Sequence, residues 1–288
     1  MEGYSKLLVA VDGSESSLHA LKEAFRLSPK GVTAVAVAPP YTGDLRVMGV
    51  DNLKKMLREP CDTALAKAQE IAREEKAQVA TACVQGEPYE EIVDLAEEKG
   101  CELIVMGVRG VSFLERALLG GTTERVIGYS SLDVLVVPLH GTVAWSKVLL
   151  ATDGSSYSQG AVGRALDFVE AYGSELKVVS VIEVPPEIYG IAPELALEKA
   201  KKPRQYVAEV KRQAEARGIP VEAFLREAEF AYRVIIDLAH KQGVDLIIMG
   251  SHGRTGLTRM LLGSVTERVI GLAPCPVLVV KTPEPPEA

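Results

Sequence analysis

The chain has 288 residues, 47% of them hydrophobic and 25% charged, and a formal net charge of -7. This length corresponds to about two average domains, and the composition is that of a globular protein, which excludes a wholly disordered chain. The acidic balance argues against a nucleic-acid partner, and the lack of a membrane-spanning apolar run or a signal peptide predicts a cytoplasmic protein with no membrane partner.

The first half alternates short apolar runs with helical patterns. Residues 6–11 lead through Asp12-Gly13-Ser14 into a helical period, which predicts a strand, a turn and a helix. Residues 41–60 have no clean period, and we interpret them as a mobile excursion before a charged helix that ends near Lys76. The other predicted elements are strands at 32–38, 78–84, 102–106 and 134–137, and helices at 16–27, 89–99 and 123–129.

The second half repeats this order from residue 147 onward, with Asp153-Gly154-Ser155 after its first strand. Aligning residues 101–137 with residues 244–280 gives 20 identical positions without a gap, a density that indicates internal duplication. We therefore predict two homologous domains, residues 1–140 and 141–288. The other predicted elements are strands at 176–182, 221–225, 245–249 and 277–280, and helices ending near 172 and 217 or spanning 231–242 and 267–272.

Alternating short apolar strands and amphipathic helices predict an α/β fold in each half, with a parallel sheet covered on both faces. Ligands of such folds bind past the carboxyl ends of the strands, where the strand order reverses. Each half places an Asp-Gly-Ser turn after its first strand and a glycine loop after its fourth. If these two strands are neighbours, both features face one crevice.

The glycine loop of the second half contains Gly250 and Gly253 and, after nine further residues, Gly263. The first half repeats this spacing at Gly107, Gly110 and Gly120. A strand that runs into glycines and then into a helix start presents backbone N–H groups to an anion, of which phosphate is the natural example. Ser264 and Thr266 can add hydroxyl hydrogen bonds to such a ligand.

The aspartates of the two turns, Asp12 and Asp153, have two interpretations. Each carboxylate could reach the hydroxyl groups of a ribose, or a metal ion held by phosphates. Alternatively, each could only cap the helix that follows, because Asp and Ser are both preferred at helix N-termini. The residues alone leave both interpretations open.

Several other classes of site lack support. The chain has neither a G-x-x-x-x-G-K-[ST] loop nor a G-x-G-x-x-G pattern after its first strand, which argues against an efficient nucleotide hydrolase and a dehydrogenase. The cysteines have no metal-ligand spacing, and we predict that they are small buried hydrophobic residues. They are Cys61, Cys83, Cys101 and Cys275.

Two segments resemble a known family. The spacing of Gly250, Gly253 and Gly263-Ser264 resembles the nucleotide loop of the universal stress protein family, and residues 273–280, Ala-Pro-Cys-Pro-Val-Leu-Val-Val, are similar to its last strand. The resemblance covers the chain twice, as in tandem members. It implies two doubly wound domains, each with a five-stranded parallel sheet in the order 3-2-1-4-5. It also implies that ATP binds between the first and fourth strands, with magnesium held by its phosphates.

The resemblance also implies site residues in the second half. Thr152 and Asp153 would contact the base and the ribose, and Val181 would line the adenine pocket. The ribose and phosphates would be held by Gly250, His252, Gly253, Gly263, Ser264, Val265 and Thr266. This half has Glu229-Phe230-Ala231 where the first half has Gly86-Glu87-Pro88, and the effect of this difference on the pocket is left open.

The corresponding site of the first half is expected to be weaker. Gly121 stands where the second half has Ser264, and the missing hydroxyl removes a bond worth about 1.5–3 kcal/mol, although Thr122 could compensate. The residues implied in this half are Val11, Asp12, Val37, Gly107, Arg109, Gly110, Gly120 and Thr122.

The function implied by the resemblance is that of an ATP-binding sensor or regulator in stress response, with slow or no hydrolysis. Two alternatives remain. One is a tandem scaffold that binds no nucleotide and acts through protein partners. The other is a nucleotide hydrolase or phosphotransferase that uses Asp12 or Asp153 with magnesium, against which the missing loop lysine counts.

The last strand of each half is rich in valine, at residues 134–137 and 277–280. An apolar strand at the edge of a sheet tends to pair with another strand unless it is covered, and members of the family pair these strands. We expect either an intramolecular pseudo-dimer or a homodimer with a second chain.

Overall fold

The computed structural model describes residues 4–40, 50–108, 120–183, 193–252 and 262–282. The chain divides into two compact units, and the division between them falls between Leu139 and His140. Each unit is described by itself below.

The first unit is a parallel α/β domain. Its sheet has the order β3-β2-β1-β4-β5, and Leu7 of the central strand lies opposite Val32 on one side and Leu103 on the other. Its elements, in chain order, are β1 (Leu7–Ala10), α1 (Glu15–Leu27), β2 (Val32–Ala38), α2 (Val50–Glu74), β3 (Val79–Gln85), α3 (Pro88–Glu98), β4 (Leu103–Val108), α4 (Gly121–Tyr129) and β5 (Asp133–Pro138).

The second unit repeats the first in sequence order and in topology. Its sheet has the order β8-β7-β6-β9-β10, with all described pairs parallel. Its elements are β6 (Lys147–Ala151), α5 (Ser156–Tyr172), β7 (Glu175–Glu183), α6 (Pro193–Ala216), β8 (Val221–Ala228), α7 (Ala231–Gln242), β9 (Leu246–Gly250), α8 (Ser264–Leu272) and β10 (Val277–Val280). The predicted pair of doubly wound domains with the strand order 3-2-1-4-5 is confirmed.

The central strands form the core of each unit. Leu246, Ile247 and Ile248 of β9 are fully buried, as expected for a strand with helices on both faces. Their side chains alternate between the two faces, so the continuous apolar run fills both layers. Because β7 and β9 lie on opposite sides of β6, the strand order reverses at β6, and a crevice opens at its carboxyl end.

One predicted irregular segment is partly helical. Residues 41–60 were expected to form a mobile excursion, but α2 begins at Val50 and continues through Pro60, so this prediction is wrong for residues 50–60. The proline removes one backbone donor, yet Ala64 and Ala68 of the same helix are buried against the sheet and hold it in place. Residues 41–49 lie outside the described part of the chain.

The cysteines divide into two kinds. Cys101 and Cys275 are free and buried, as predicted, and burial raises the pKa of the Cys275 thiol to about 12. Cys61 of α2 and Cys83 of β3 form a disulfide, with their Cα atoms 6.1 Å apart. For this pair the prediction of small buried hydrophobic residues is wrong. A sequence separation of 22 residues does not indicate that a helix and the neighbouring strand bring the two cysteines together.

Loss of this disulfide is expected to destabilise the first unit by about 3 kcal/mol, because it closes a loop of 22 residues and so restricts the unfolded chain. The measurement is urea denaturation followed by circular dichroism with and without dithiothreitol. A double variant, Cys61→Ala with Cys83→Ala, serves as the control, since its unfolding midpoint should not respond to the reductant. Identical midpoints for the native chain under both conditions would contradict the expectation.

No helix in the described ranges is long and apolar enough to span a membrane.

Candidate functional site

A cavity of 400 Å³ lies at the carboxyl ends of β6, β7 and β9 in the second unit. It is the crevice expected where the strand order reverses. The cavity brings together all of the described residues that the resemblance implied for this half. They are Thr152, Asp153, Val181, Gly250, His252, Gly263, Ser264, Val265 and Thr266. Gly253 lies outside the described residues.

One end of the cavity is apolar. Val179, Val181 and Ile182 come from β7, and Ala231 and Ile235 from the helix α7 that packs on it. These five residues present hydrocarbon surface, so this part of the cavity suits a flat apolar group such as a purine base.

The Asp-Gly-Ser turn borders the middle of the cavity. Asp153 Oδ1 accepts hydrogen bonds from the Ser155 N–H at 3.0 Å and the Ser155 hydroxyl at 2.7 Å. Ser155, and not Asp153, is the N-cap of α5, since its hydroxyl accepts the Ser158 N–H. Gly154 has a φ of 75°, a left-handed conformation that favours glycine. Asp153 therefore fixes the turn and also lines the cavity.

Thr152 has an internal partner. Its side chain is 6% exposed, and its hydroxyl donates to the Ser158 Oγ at 3.0 Å. Since a hydroxyl has one hydrogen to donate, Thr152 is positioned to support the turn, and a ligand would meet its backbone and methyl group.

The other end of the cavity is the start of helix α8. Gly263 is the N-cap and offers no side-chain cap, so the N–H groups of Ser264, Val265 and Thr266 have no acceptor within the helix. No backbone carbonyl of the described residues accepts them either. Such donors, together with the positive end of the helix dipole, suit an anionic ligand, and we refer to this part of the cavity as its anion-binding end. The helix begins at Ser264 and not at the predicted residue 267, which places its first turn in the cavity.

Two hydrogen bonds hold this helix start on the strand. The Gly263 N–H donates to the Ser251 carbonyl at 3.0 Å, and the Thr266 hydroxyl donates to the Gly250 carbonyl at 3.0 Å. Thr266 is 3% exposed, so its hydroxyl acts as a brace for the loop. Of the two hydroxyls expected to contact phosphate, the exposed one is that of Ser264.

His252 lies beside the same loop. Its ring is half-buried, and its Nδ1 lies 3.0 Å from the Ser251 hydroxyl. This contact orients the imidazole ring on the cavity wall at the anion-binding end.

The first unit shows the same turn with different partners. Asp12 Oδ1 accepts hydrogen bonds from the Ser14 N–H at 2.9 Å and from the Ser17 hydroxyl at 2.7 Å, and the side chain is exposed. Val11 is buried beyond β1, where its N–H donates to the Val35 carbonyl at 2.8 Å. Val37 is half-buried in β2.

The glycines of the first unit differ in role. A Cβ on Gly107 would overlap the carbonyl of Ser16, so this glycine is required where helix α1 crosses β4. Gly120 is the N-cap of α4, and a Cβ on it or on Gly121 would meet no atom within 4 Å. Thr122 is exposed in the first turn of α4. Arg109 and Gly110 lie outside the described residues.

Sequence reasoning missed two polar residues that line the cavity, Ser158 and Glu183. Nothing in the sequence indicates that Ser158 lines a cavity, because it lies within a helix and belongs to no motif. Glu183 accepts the Ala231 N–H at 2.9 Å. The only signal was indirect, since Ala231 has an N–H that needs an acceptor, whereas Pro88 at the matching position of the first half has none.

Comparisons with known proteins agree with this architecture. The model of the universal stress protein family matches residues 3–138 and again residues 144–281. A universal stress protein of Mycolicibacterium smegmatis is 30% identical over 291 residues, which cover 96% of this chain and 96% of that protein. Another, from Methanocaldococcus jannaschii, is 36% identical over 152 residues, or 50% of this chain and 87% of that protein.

Among solved structures, a universal stress protein from Archaeoglobus fulgidus superimposes with a TM-score of 0.72 at 23% identity, and the match covers 96% of each chain. This likeness supports the fold over the full length. The two family matches and the full-length relative lead to one conclusion: the chain belongs to the universal stress protein family and carries two copies of its domain.

Proposed function

We propose that the second unit binds ATP and that the chain acts as a nucleotide-dependent sensor or regulator in stress response. One observation carries the proposal: a single cavity joins an apolar wall, a carboxylate and an uncapped helix N-terminus. Its volume of 400 Å³ lies in the range of small-molecule sites. These three parts match the base, the ribose and the phosphates of a nucleotide.

The spacing of the strands supports this assignment. β7 and β9 flank β6, so the apolar end and the anion-binding end lie about 10 Å apart. The base packs against Val181 and Ala231, Asp153 meets the ribose, and the phosphates accept hydrogen bonds from the first N–H groups of α8. Ser264 adds a hydroxyl donor at the phosphates.

Magnesium would enter this site together with the nucleotide. Within the described part of the chain, no three His, Cys, Asp or Glu side chains cluster to hold a metal ion. The phosphates would therefore supply most of its ligands, with Asp153, or Asp12 in the first unit, as the protein carboxylate. The chain lacks the lysine of the G-x-x-x-x-G-K-[ST] loop, which supports slow or absent hydrolysis.

The second unit is proposed as the stronger site of the two. Gly121 provides no hydroxyl at the position of Ser264, and Gly107 is needed for packing of α1. The first unit retains a helix start without a side-chain cap at Gly120, so its affinity for a nucleotide is expected to be lower, not zero.

Equilibrium dialysis of the purified chain with ATP tests the proposal, alongside mass analysis of any nucleotide that co-purifies. We expect saturable binding of ATP with at least one nucleotide per chain. The absence of bound adenine nucleotide at millimolar concentrations would overturn it and favour the scaffold alternative. A turnover assay with Asp153→Ala tests the hydrolase alternative, because activity that survives this change would rule out Asp153 as its catalytic group.

A further inference from the structure

A carboxylate is fixed at the apolar end of the cavity in the second unit. Glu183 is the last residue of β7 and lines the cavity beside Val181 and Ala231. Its Oε1 accepts the Ala231 N–H at 2.9 Å. Helix α7 begins at Ala231, and its N-cap, Phe230, offers no side-chain hydrogen bond. The carboxylate thus caps the helix, and the helix in turn holds the carboxylate at the cavity wall.

The first unit has no such group, as the strand registers show. The Val11 N–H donates to the Val35 carbonyl, and the Thr152 N–H donates to the Val179 carbonyl, so Val35 corresponds to Val179. By the same offset, Pro39 occupies the position of Glu183. Pro88 corresponds to Ala231, because each is the first residue of the helix that follows the third strand of its unit. Proline has no N–H to satisfy, so the pair of Glu183 with Ala231 belongs to the second unit alone.

We propose that Glu183 selects the base of the nucleotide by accepting a hydrogen bond from the exocyclic 6-amino group of adenine. This inference rests on the proposed binding of ATP. An ionised carboxylate can accept about four hydrogen bonds, and the Ala231 N–H uses one of them. Its neighbours Val181 and Ala231 line the same part of the cavity, so the base packs on their hydrocarbon surface and the acceptor lies at the edge of the ring.

The negative charge of Glu183 also sets the orientation of the nucleotide in the cavity. A carboxylate at the apolar end repels phosphates, whereas the first N–H groups of α8 attract them at the other end. A nucleotide therefore enters with its amino group toward Glu183 and its phosphates toward Gly263. A purine without a 6-amino group keeps the stacking and the phosphate contacts and loses only the hydrogen bond to Glu183.

The test compares ATP with purine riboside 5′-triphosphate, in which hydrogen replaces the 6-amino group, by isothermal titration calorimetry on the full chain. A hydrogen bond to a charged acceptor predicts about a tenfold preference for ATP. In Glu183→Gln the ratio of the two dissociation constants is expected to fall toward one. The glutamine keeps a carbonyl oxygen for the Ala231 N–H, so the helix cap survives the change.

Glu175→Gln is the matched control. Glu175 is the first residue of β7 and is exposed, and it lies about 26 Å from Glu183 along the strand. This variant makes the same change in net charge, and its preference for ATP should equal that of the native chain. Equal binding of both nucleotides by the native chain, or an unchanged preference in Glu183→Gln, would overturn the inference and leave the proposed function intact. If neither nucleotide binds, both fall.

Discussion

Gly263→Asp is expected to abolish nucleotide binding by the second unit, with at least about a hundredfold loss of affinity for ATP. A Cβ at this position would lie 3.2 Å from the Ser251 carbonyl oxygen and 3.4 Å from the His252 Cα, which is a tight contact. The larger effect is electrostatic. The new carboxylate would stand where the phosphates are expected and would take the N–H groups of Val265 and Thr266 for itself.

The fold should survive this substitution. Asp is among the preferred N-cap residues, and helix α8 has no side-chain cap at present, so the new side chain replaces the ligand as an acceptor. Fluorescence of Trp145 checks this point, because Trp145 packs on Phe168 and Tyr172 within the second unit.

Gly120→Asp provides the matched control for this prediction. Gly120 is the N-cap of α4, the equivalent position in the first unit, and a Cβ there meets no atom within 4 Å. Calorimetry with ATP should show the main site intact in Gly120→Asp and lost in Gly263→Asp. Unchanged affinity in Gly263→Asp would mean that the nucleotide site lies away from the start of α8.

The sequence predicts the fold well because the second half of the chain repeats the order of elements of the first half. Apolar runs such as residues 246–249 are unambiguous strands only in the context of the repeated order, and the shared spacing of Gly107 and Gly250 aligns the two halves. The strand order 3-2-1-4-5 was implied by the family resemblance, and the strand pairs of both units confirm it. The nine described residues that line the cavity were implied by the family resemblance, and the glycine spacing shared by the two halves pointed to Gly250 and Gly263 among them.

The remaining features depend on contacts between distant parts of the chain. Glu183 and Ala231 are 48 residues apart, and only the packing of α7 on β7 brings the carboxylate to the N–H. The disulfide between Cys61 and Cys83 likewise needs the register of helix α2 over β3. Helix α2 itself was placed too late because Pro60 interrupts the periodic signal, although a proline within a helix is tolerated where the rest of the helix is buried.

The hydroxyl groups of two residues implied as ligand contacts have hydrogen-bond partners within the protein. Thr266 was expected to donate to a phosphate, but its hydroxyl donates to the Gly250 carbonyl. Thr152 was expected at the base, and because its hydroxyl donates to Ser158, only its backbone and methyl group are left for that contact. In both cases a buried hydroxyl must find a partner within the protein, so these two hydroxyls stabilise the backbone around the cavity.

Gly107→Ala is expected to destabilise the first unit by about 3 kcal/mol, within the upper range for an overpacked core. A Cβ on Gly107 would overlap the Ser16 carbonyl and lie 2.9 Å from the Ser17 amide nitrogen. Both are backbone atoms of helix α1, so no side-chain rotation can relieve the contact. The helix must move away from β4 or the strand must bend, and either response opens the packing between them.

Gly121→Ala is the matched control, since a Cβ on Gly121 meets no atom within 4 Å and the residue begins α4. Replacing glycine by alanine in a helix is expected to stabilise it by about 0.5 kcal/mol. Urea denaturation followed by circular dichroism reports both units, and Trp145 fluorescence reports the second alone. The Gly107→Ala transition should shift in circular dichroism and not in fluorescence. If its stability equals that of the native chain, close packing of α1 is not the reason for glycine at this position, and contact with a ligand becomes the better explanation.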